Sequence, residues 1–421
     1  MGLPSGWQTP RMNWDKTSFL SPDDIIRIEQ NINAIENGIR SIDDTKAPQS
    51  SGNLHDILDY FANRLKAITG KNSWLESPDI NLSNIPNDIS TIIYTLLANM
   101  SGDYSKLESY NILDGWTDNA WRSSVVVRNT VVFVPFRATK VIFMDFQTKS
   151  YTGVDVASGS GKWDSCIRAG NIVYGIPYWR PYVLKIDAVA KTVTEIEIPD
   201  GFQGGTPGYY TAVLGQDNCI YFIPHYENCL LKFNPSDNSF TRIGSFPGMA
   251  NYAGGVLAPN GYIYFIPHAA QRVLKVAFDG TATEIGSTYT ETFQWWGGVL
   301  VGGRYIYCCP CNASSVLIID TATDTTTTIG SLGTEEQKYR GAILLPNNDI
   351  LFLGYTSGKI LRVYTRDNTL VEISNTYFSD MFQAGGCLAP DGSVFTNPFR
   401  SSGGARLTFG DPSISTYWHG L

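Results

Sequence analysis

Aromatic side chains recur along this chain at a regular spacing. Flat rings presented at intervals on a rigid frame can stack on sugar rings or anchor a protein epitope. One set is Trp121, Trp163, Tyr209 with Tyr210, Tyr252, Trp295 with Trp296, and Tyr339, with Phe382 near the corresponding place. A second set is Phe136, Tyr178 with Trp179, His225, His268, Tyr355 and Phe399. The candidate ligand-binding residues drawn from them are Trp121, Trp163, Tyr178, Trp179, Tyr209, Tyr210, Tyr252, Trp295, Trp296 and Tyr339. A second reading stays open for each, because repeated aromatics also fill the seams between neighbouring units of a repeat protein. Trp295 and Trp296 argue most directly for a ligand, since adjacent residues on a strand point to opposite sides.

Other chemistry is sparse. His225 and His268 occupy equivalent positions, with Cys311 next in that series. Imidazole and thiolate suit a transition metal. No acid or further histidine joins them, so neither a metal nor a cofactor is expected. A column nearer the repeat centre reads Arg122, Asp164, Thr211, Gly254, Gly297, Gly341 and Gly385. Only its first two members could move protons or hold charge, and such an isolated pair reads as a salt bridge. Paired carboxylates, a Ser/His/Asp constellation and a phosphate-cradling glycine loop are all missing. The expectation is therefore no catalytic residues and no enzyme.

Composition narrows the partners. The formal net charge is −8 and no run of Lys or Arg stands out, which excludes a nucleic-acid partner of the phosphate-neutralising kind. No apolar run reaches about 18 residues, so no membrane insertion is expected. The first residues lack the basic start and apolar stretch of a signal peptide. Seven cysteines, an odd number at irregular spacing, read as reduced thiols of a protein made in a cytoplasm.

The rings need a scaffold, and the same spacing defines one. Apolar segments ending in Pro or its equivalent close at positions 135, 177, 224, 267, 310, 354 and 398. A period of about 40–45 residues is that of a four-stranded propeller blade. Twelve residues before each anchor stand Ser123, Ser165, Ala212, Gly255, Gly298, Ala342 and Gly386, all small, as innermost strands around a crowded channel would require. Turns such as Pro259-Asn260-Gly261 and Pro390-Asp391-Gly392 lie between the two columns. The fold class is thus mainly β: a seven-bladed β-propeller over 105–421, its repeats ending near 412, preceded by a small α-helical region over 1–104. Blade seven stops early, after Ala405–Phe409. The segment Leu107–Ile112, just before blade one, is expected to supply its missing outer strand and close the ring.

Residues 21–42 predict a helix with Ser21 as N-cap and Pro22 in the first turn. Ile25, Ile28, Ile32, Ile35, Ile39 and Ile42 form a heptad with Ile at both core positions, a pattern that favours three or four strands. A single amphipathic helix packed on its own domain would show the same spacing. Two more helices are expected over 53–69 and 86–100.

Trp7-Gln8-Thr9-Pro10, Asn13-Trp14-Asp15 and Asp24 through Ile32 resemble the opening of tail and baseplate appendage proteins of phages and prophages of Gram-positive bacteria. The segment Leu65 through Trp74 resembles one common in phage tail fibres. The match departs at Ile26, where that family usually has Asn. The resemblance implies a tail fibre or receptor-binding protein in the virion. Residues 1–104 would attach to other tail or baseplate proteins and trimerise. The propeller would bind a glycan, or else a protein, on the host surface. Two alternatives stand beside it: a structural virion part with the propeller as spacer or docking module, and a propeller enzyme acting on surface glycan. The heptad makes the first test. The full chain should sediment as a trimer at micromolar concentration, and Ile32→Asn with Ile35→Asn should dissociate it by burying unpartnered amides. A monomeric full chain would remove the coiled coil.

Overall fold

The computed structural model describes residues 104–112, 120–200, 208–246, 251–374, 385–398 and 403–409. The expected helices, the isoleucine heptad, Phe382 and Phe399 lie outside the described residues. What is described is strand and turn: seven four-stranded antiparallel sheets, six of them each from one continuous stretch of chain, following one another around a ring.

Blade one shows the plan. Its strands are Trp121–Val127, Thr130–Pro135, Lys140–Asp145 and Tyr151–Asp155, paired in that order from the channel outwards. The second strands are buried over nearly their whole length, and Ile220–Pro224 and Ile263–Pro267 from end to end. A half-exposed strand would alternate. These do not, because each sheet is covered on both faces by neighbouring blades. The outermost strands are largely exposed, and Thr325–Ile329 keeps its threonines mostly at the solvent edge.

Local chemistry sets the turns. Asp145, Asp187 and Asp320 each accept backbone N–H groups two residues on through a side-chain oxygen, which closes the third-to-fourth strand turn. The small column also has a local cause. A Cβ on Gly298 would lie 2.7 Å from the Tyr307 carbonyl oxygen, and one on Gly255 would lie 2.6 Å from Ile223 Cδ1. The second strand and the neighbouring blade leave no room there.

The ring closes as the repeat predicts. The strand Tyr104–Asn111 pairs antiparallel with Gly403–Phe409, from Lys106 opposite Thr408 to Asn111 opposite Gly403. Blade seven therefore takes its outer strand from the start of the propeller and its inner three from the end. Tyr110 locks the joint. Its ring sits 5.6 Å from Phe395 and 6.0 Å from Phe133, and its hydroxyl donates to the Thr396 carbonyl. Glu108 adds charge contacts to Arg406 in blade seven (3.6 Å) and Lys149 in blade one (3.2 Å).

A chain beginning at Ser105 should fold as an independent β-protein. One beginning at Ala120 loses the closing strand, leaves the outer edge of Gly403–Phe409 unpaired and opens the apolar pocket around Tyr110. Its melting temperature should fall by about 10 °C or more, the scale of losing several kcal/mol in a domain of this size. Equal melting temperatures in calorimetry would refute closure by the shared blade.

Candidate functional site

The site begins with a defect in the sheets. Trp121 pairs with Pro135 but Ser123 with Val134, so Arg122 is one residue too many. Asp164 and Tyr210 are extra in the same way in blades two and three. The same offset of one spans Ala253–Gly254, Trp296–Gly297 and Arg340–Gly341. A bulge re-aims the side chains around it. Each one here sends the preceding aromatic residue into the seam between blades and the following residue towards the channel. Gly254, Gly297 and Gly341, with φ of 97°, 68° and 85°, supply the left-handed backbone that the wider bulges need.

The seam residues are Trp121, Trp163, Tyr209, Tyr252, Trp295 and Tyr339, all buried within inter-blade clusters. The indole N–H groups of Trp121, Trp163 and Trp295 donate to the carbonyls of Lys140, Tyr182 and Ser315, at 3.0, 2.8 and 2.9 Å. Those carbonyls lie at the start of the third strand of the same blade. With no free face, these six of the ten expected ligand-binding residues pack blades; they present nothing to a ligand.

The other four come together. Tyr178 stacks on Tyr210 with centroids 5.0 Å apart and hydroxyls 3.1 Å apart, and Tyr210 meets Trp296 at 4.7 Å. Trp296 reaches Tyr210 across blade four because the small, buried Ala253 stands between them. Trp179 then stacks on Tyr178 at 5.0 Å and an interplanar angle of 20°. Tyr226 lies 6.4 Å from both Tyr178 and Tyr210, and Phe293 meets His268 at 4.8 Å. Trp179, Tyr226 and Phe293 are 50%, 48% and 46% exposed. The result is an inner layer, with Tyr178 and Tyr210 buried and Trp296 partly buried, carrying a second, half-exposed layer.

Backbone holds that outer layer. A Cβ on Gly161 would strike the Trp179 ring at 2.5 Å, and one on Gly208 would strike the Tyr226 Cβ at 2.5 Å. Phe293 and Gln337 stand two residues before their seam aromatics, as Gly161 does before Trp163. Gly161 has φ of 65° there; Phe293 and Gln337 adopt 56° and 54°. A bulky residue in that region carries about 1–3 kcal/mol of strain, which gathers at functional positions.

Charge sits beside the rings. Arg122 pairs with Asp164, and its guanidinium lies 3.6 Å over the Phe136 ring. Burial would lower the Arg122 pKa, but the Asp164 carboxylate outweighs it and the pKa is raised. Burial pushes the Tyr178 hydroxyl up to about 12 and the Tyr210 hydroxyl further. Burial also takes His225 down to about 3, against the bond of its Nδ1 to the Tyr252 carbonyl at 2.6 Å. His225 is neutral, and that bond makes Nδ1 its donor. His225 and His268 lie 5.6 Å apart, and among the described residues no three His, Cys, Asp or Glu side chains form a group that could hold a metal. Cys308, Cys309 and Cys311 are buried free thiols raised by burial. Beneath the rings, the channel holds a cavity of about 250 Å³ lined by Arg122, Asp164, Tyr210 and Trp296 and, deeper, by Ser124 and Asn397.

Sequence spacing missed Arg340, Tyr226 and Phe293. The column from Arg122 through Thr211 and Gly254 to Gly385 does line the channel cavity, but in blades three to six the side chain at the bulge is that of the residue before it. Counting one residue past each seam aromatic finds Tyr210, Ala253, Trp296 and Arg340.

No family model matches the chain, and no curated protein sequence matches it. Solved structures do. A streptogramin B lyase matches with a TM-score of 0.61 at 18% identity, over 72% of this chain and 98% of that one. A catalytically inactive virginiamycin B lyase from Staphylococcus aureus with quinupristin matches with a TM-score of 0.62 at 14% identity, over 72% and 99%. A hydrazine synthase of Kuenenia stuttgartiensis matches at 0.55 and 14%, over 71% and 97%. At such identities the likeness shows the fold alone, a seven-bladed propeller. The expectation that the chain is not an enzyme is corrected by these matches: it leaned on a mouth column poor in acids and histidines, and the solved structures that share this fold include lyases.

Replacement separates the two layers. Trp163→Ala empties a seam and should cost about 3–5 kcal/mol of stability, whereas Trp179→Ala should cost less than about 1 kcal/mol. Denaturant unfolding of the two variants measures the difference, and equal losses would mean that Trp179 is also a packing residue.

Proposed function

We propose that the aromatic face binds carbohydrate and that the chain is a tail or baseplate appendage of a phage-type particle. In this reading the propeller, 105–421, meets the surface of a Gram-positive host, and residues 1–104 join it to the virion. The observation that carries the binding role is the double layer of rings. Trp179 and Tyr226 are half exposed, yet each is held over a glycine by the backbone and backed by Tyr178. Rings fixed before binding lose little freedom when a sugar stacks on them. The strained Phe293 extends the same face. The virion role rests on the motifs around Trp7, Trp14 and Asp24 through Ile32. One face would bind a sugar with a Kd of about 10⁻³ M, and several copies on a particle would raise the effective concentration enough for adsorption.

A second reading has its own observation. Arg122, Asp164 and the Tyr178–Tyr210 hydroxyl pair gather at one end of the channel, a cluster able to hold a charged group and move a proton. An enzyme acting on surface glycan would use it.

Trp179→Ala with Tyr226→Ala decides between a binding platform and rings that only pack. The doubly substituted propeller should keep its melting temperature and lose adsorption to host cells by at least about tenfold, the effect of losing about 1.4 kcal/mol per site. Unchanged adsorption would sink the platform. Release of shortened or unsaturated saccharides from host cell walls, abolished by Tyr178→Phe, would move the assignment to the enzyme.

A further inference from the structure

Among the charged groups near the rings, Arg340 stands apart. It belongs to the blade-six bulge, the equivalent of Arg122 in blade one. Arg122 is matched by Asp164. Among the described residues, no carboxylate pairs with Arg340. Its guanidinium lies 4.0 Å from the centre of the Trp296 ring and 4.1 Å from that of Tyr355, gripped between two aromatic faces. Nη2 donates to Gln337 Oε1 at 3.0 Å, while Nε has no hydrogen-bond partner. Gln337 is one of the two non-glycine residues placed in left-handed backbone at this position, so a strained residue orients the cation. Trp296 continues the contact to His268 at 5.1 Å, and His268 meets the exposed Phe293.

We propose that Arg340 is an anion-recognition residue and that the saccharide taken by this face is acidic, bearing a carboxylate or phosphate group beside the stacked rings. This rests on the carbohydrate-platform reading. A guanidinium is planar and permanently charged, and its fork matches carboxylate and phosphate oxygens. Rings on both faces leave only its edge to make bonds, which suits an in-plane anion. Asp164 is matched by Arg122 and His225 is uncharged, which leaves Arg340 as a cation at the inner rings that no described carboxylate offsets. The −8 of the whole chain opposes this little, because exposed charges farther than about 8 Å are largely screened at physiological salt.

The test uses the full chain and two pairs of polymers: oligogalacturonate with its methyl ester, and a phosphorylated mannan with its dephosphorylated form. Within each pair the rings are the same and only the charge differs. Calorimetry or glycan-array binding should show an acidic form bound about tenfold or more tighter than its neutral partner, with an advantage that shrinks as salt rises. Which pair shows it separates carboxylate from phosphate. Arg340→Gln should erase the preference and keep binding to the neutral form, and Arg340→Lys should restore only part of it because the planar fork is lost. Equal binding of charged and neutral forms overturns the acidic ligand and leaves the platform intact. A charge preference that survives Trp179→Ala with Tyr226→Ala upholds Arg340 and overturns the platform. Wild-type protein that binds none of the four overturns the anion site, and the adsorption experiment then judges the platform separately. Loss of the preference by unfolding is excluded by an unchanged melting temperature of Arg340→Gln.

Discussion

Each sheet of this protein is apolar on both faces. Second strands such as Ile220–Pro224 and Ile350–Gly354 are buried from end to end, and each is covered by side chains of two other blades. A blade alone would expose two hydrophobic surfaces, so no blade is stable until its neighbours are in place. Burial on this scale is satisfied everywhere only if the first and last blades also meet. Ring closure is therefore the constraint on which the rest depends, and the strand Tyr104–Asn111 meets it by joining the start of the propeller to its end.

Closure fixes the geometry of the aromatic face. The seam aromatics wedge neighbouring blades apart at one end, with three indole N–H groups tied to the same carbonyl position of the third strand. Once a ring is committed to the seam, the extra residue of the bulge has only the channel end to occupy. Arg122, Asp164, Tyr210, Ala253, Trp296 and Arg340 are thereby delivered to one place from six blades. The structural repeat makes the positions equivalent; the sequence at those positions makes them different. Ala253 is the clearest case, since its small side chain lets Trp296 lie across blade four and connect Tyr210 to Arg340.

The face is rigid for reasons visible in the backbone. Trp179 and Tyr226 lie over glycines with no space for a Cβ, and Phe293 is held in a conformation that its side chain disfavours. Local strain and half-exposed apolar area both oppose folding, and the inter-blade core offsets them. A rigid scaffold carrying variable, ring-bearing connections is a common way to build a recognition surface.

The repeat was legible in the chain because a blade is a local unit: four strands, their turns and their period of about 43 residues all lie within one stretch. Pro135, Pro177, Pro224, Pro267 and Pro310 mark it, and the premature end after Ala405–Phe409 even announced the shared blade. Ring-bearing connections were legible too, as a set. What the sequence left open was which ring serves which purpose. Trp295 and Trp296 are adjacent and chemically identical, yet one fills a seam and the other faces the channel, because a bulge between them and Gly298 shifts the register by one. A register shift has no signature in residue type. Tyr226, Phe293 and Arg340 were passed over for a related reason: their partners Tyr210, His268 and Trp296 belong to other blades or lie many residues away along the chain. Strand pairing within blade three brings Tyr226 to Tyr210, and the packing of consecutive blades brings Phe293 and Arg340 to their partners, so only the tertiary structure could decide that these residues share a face.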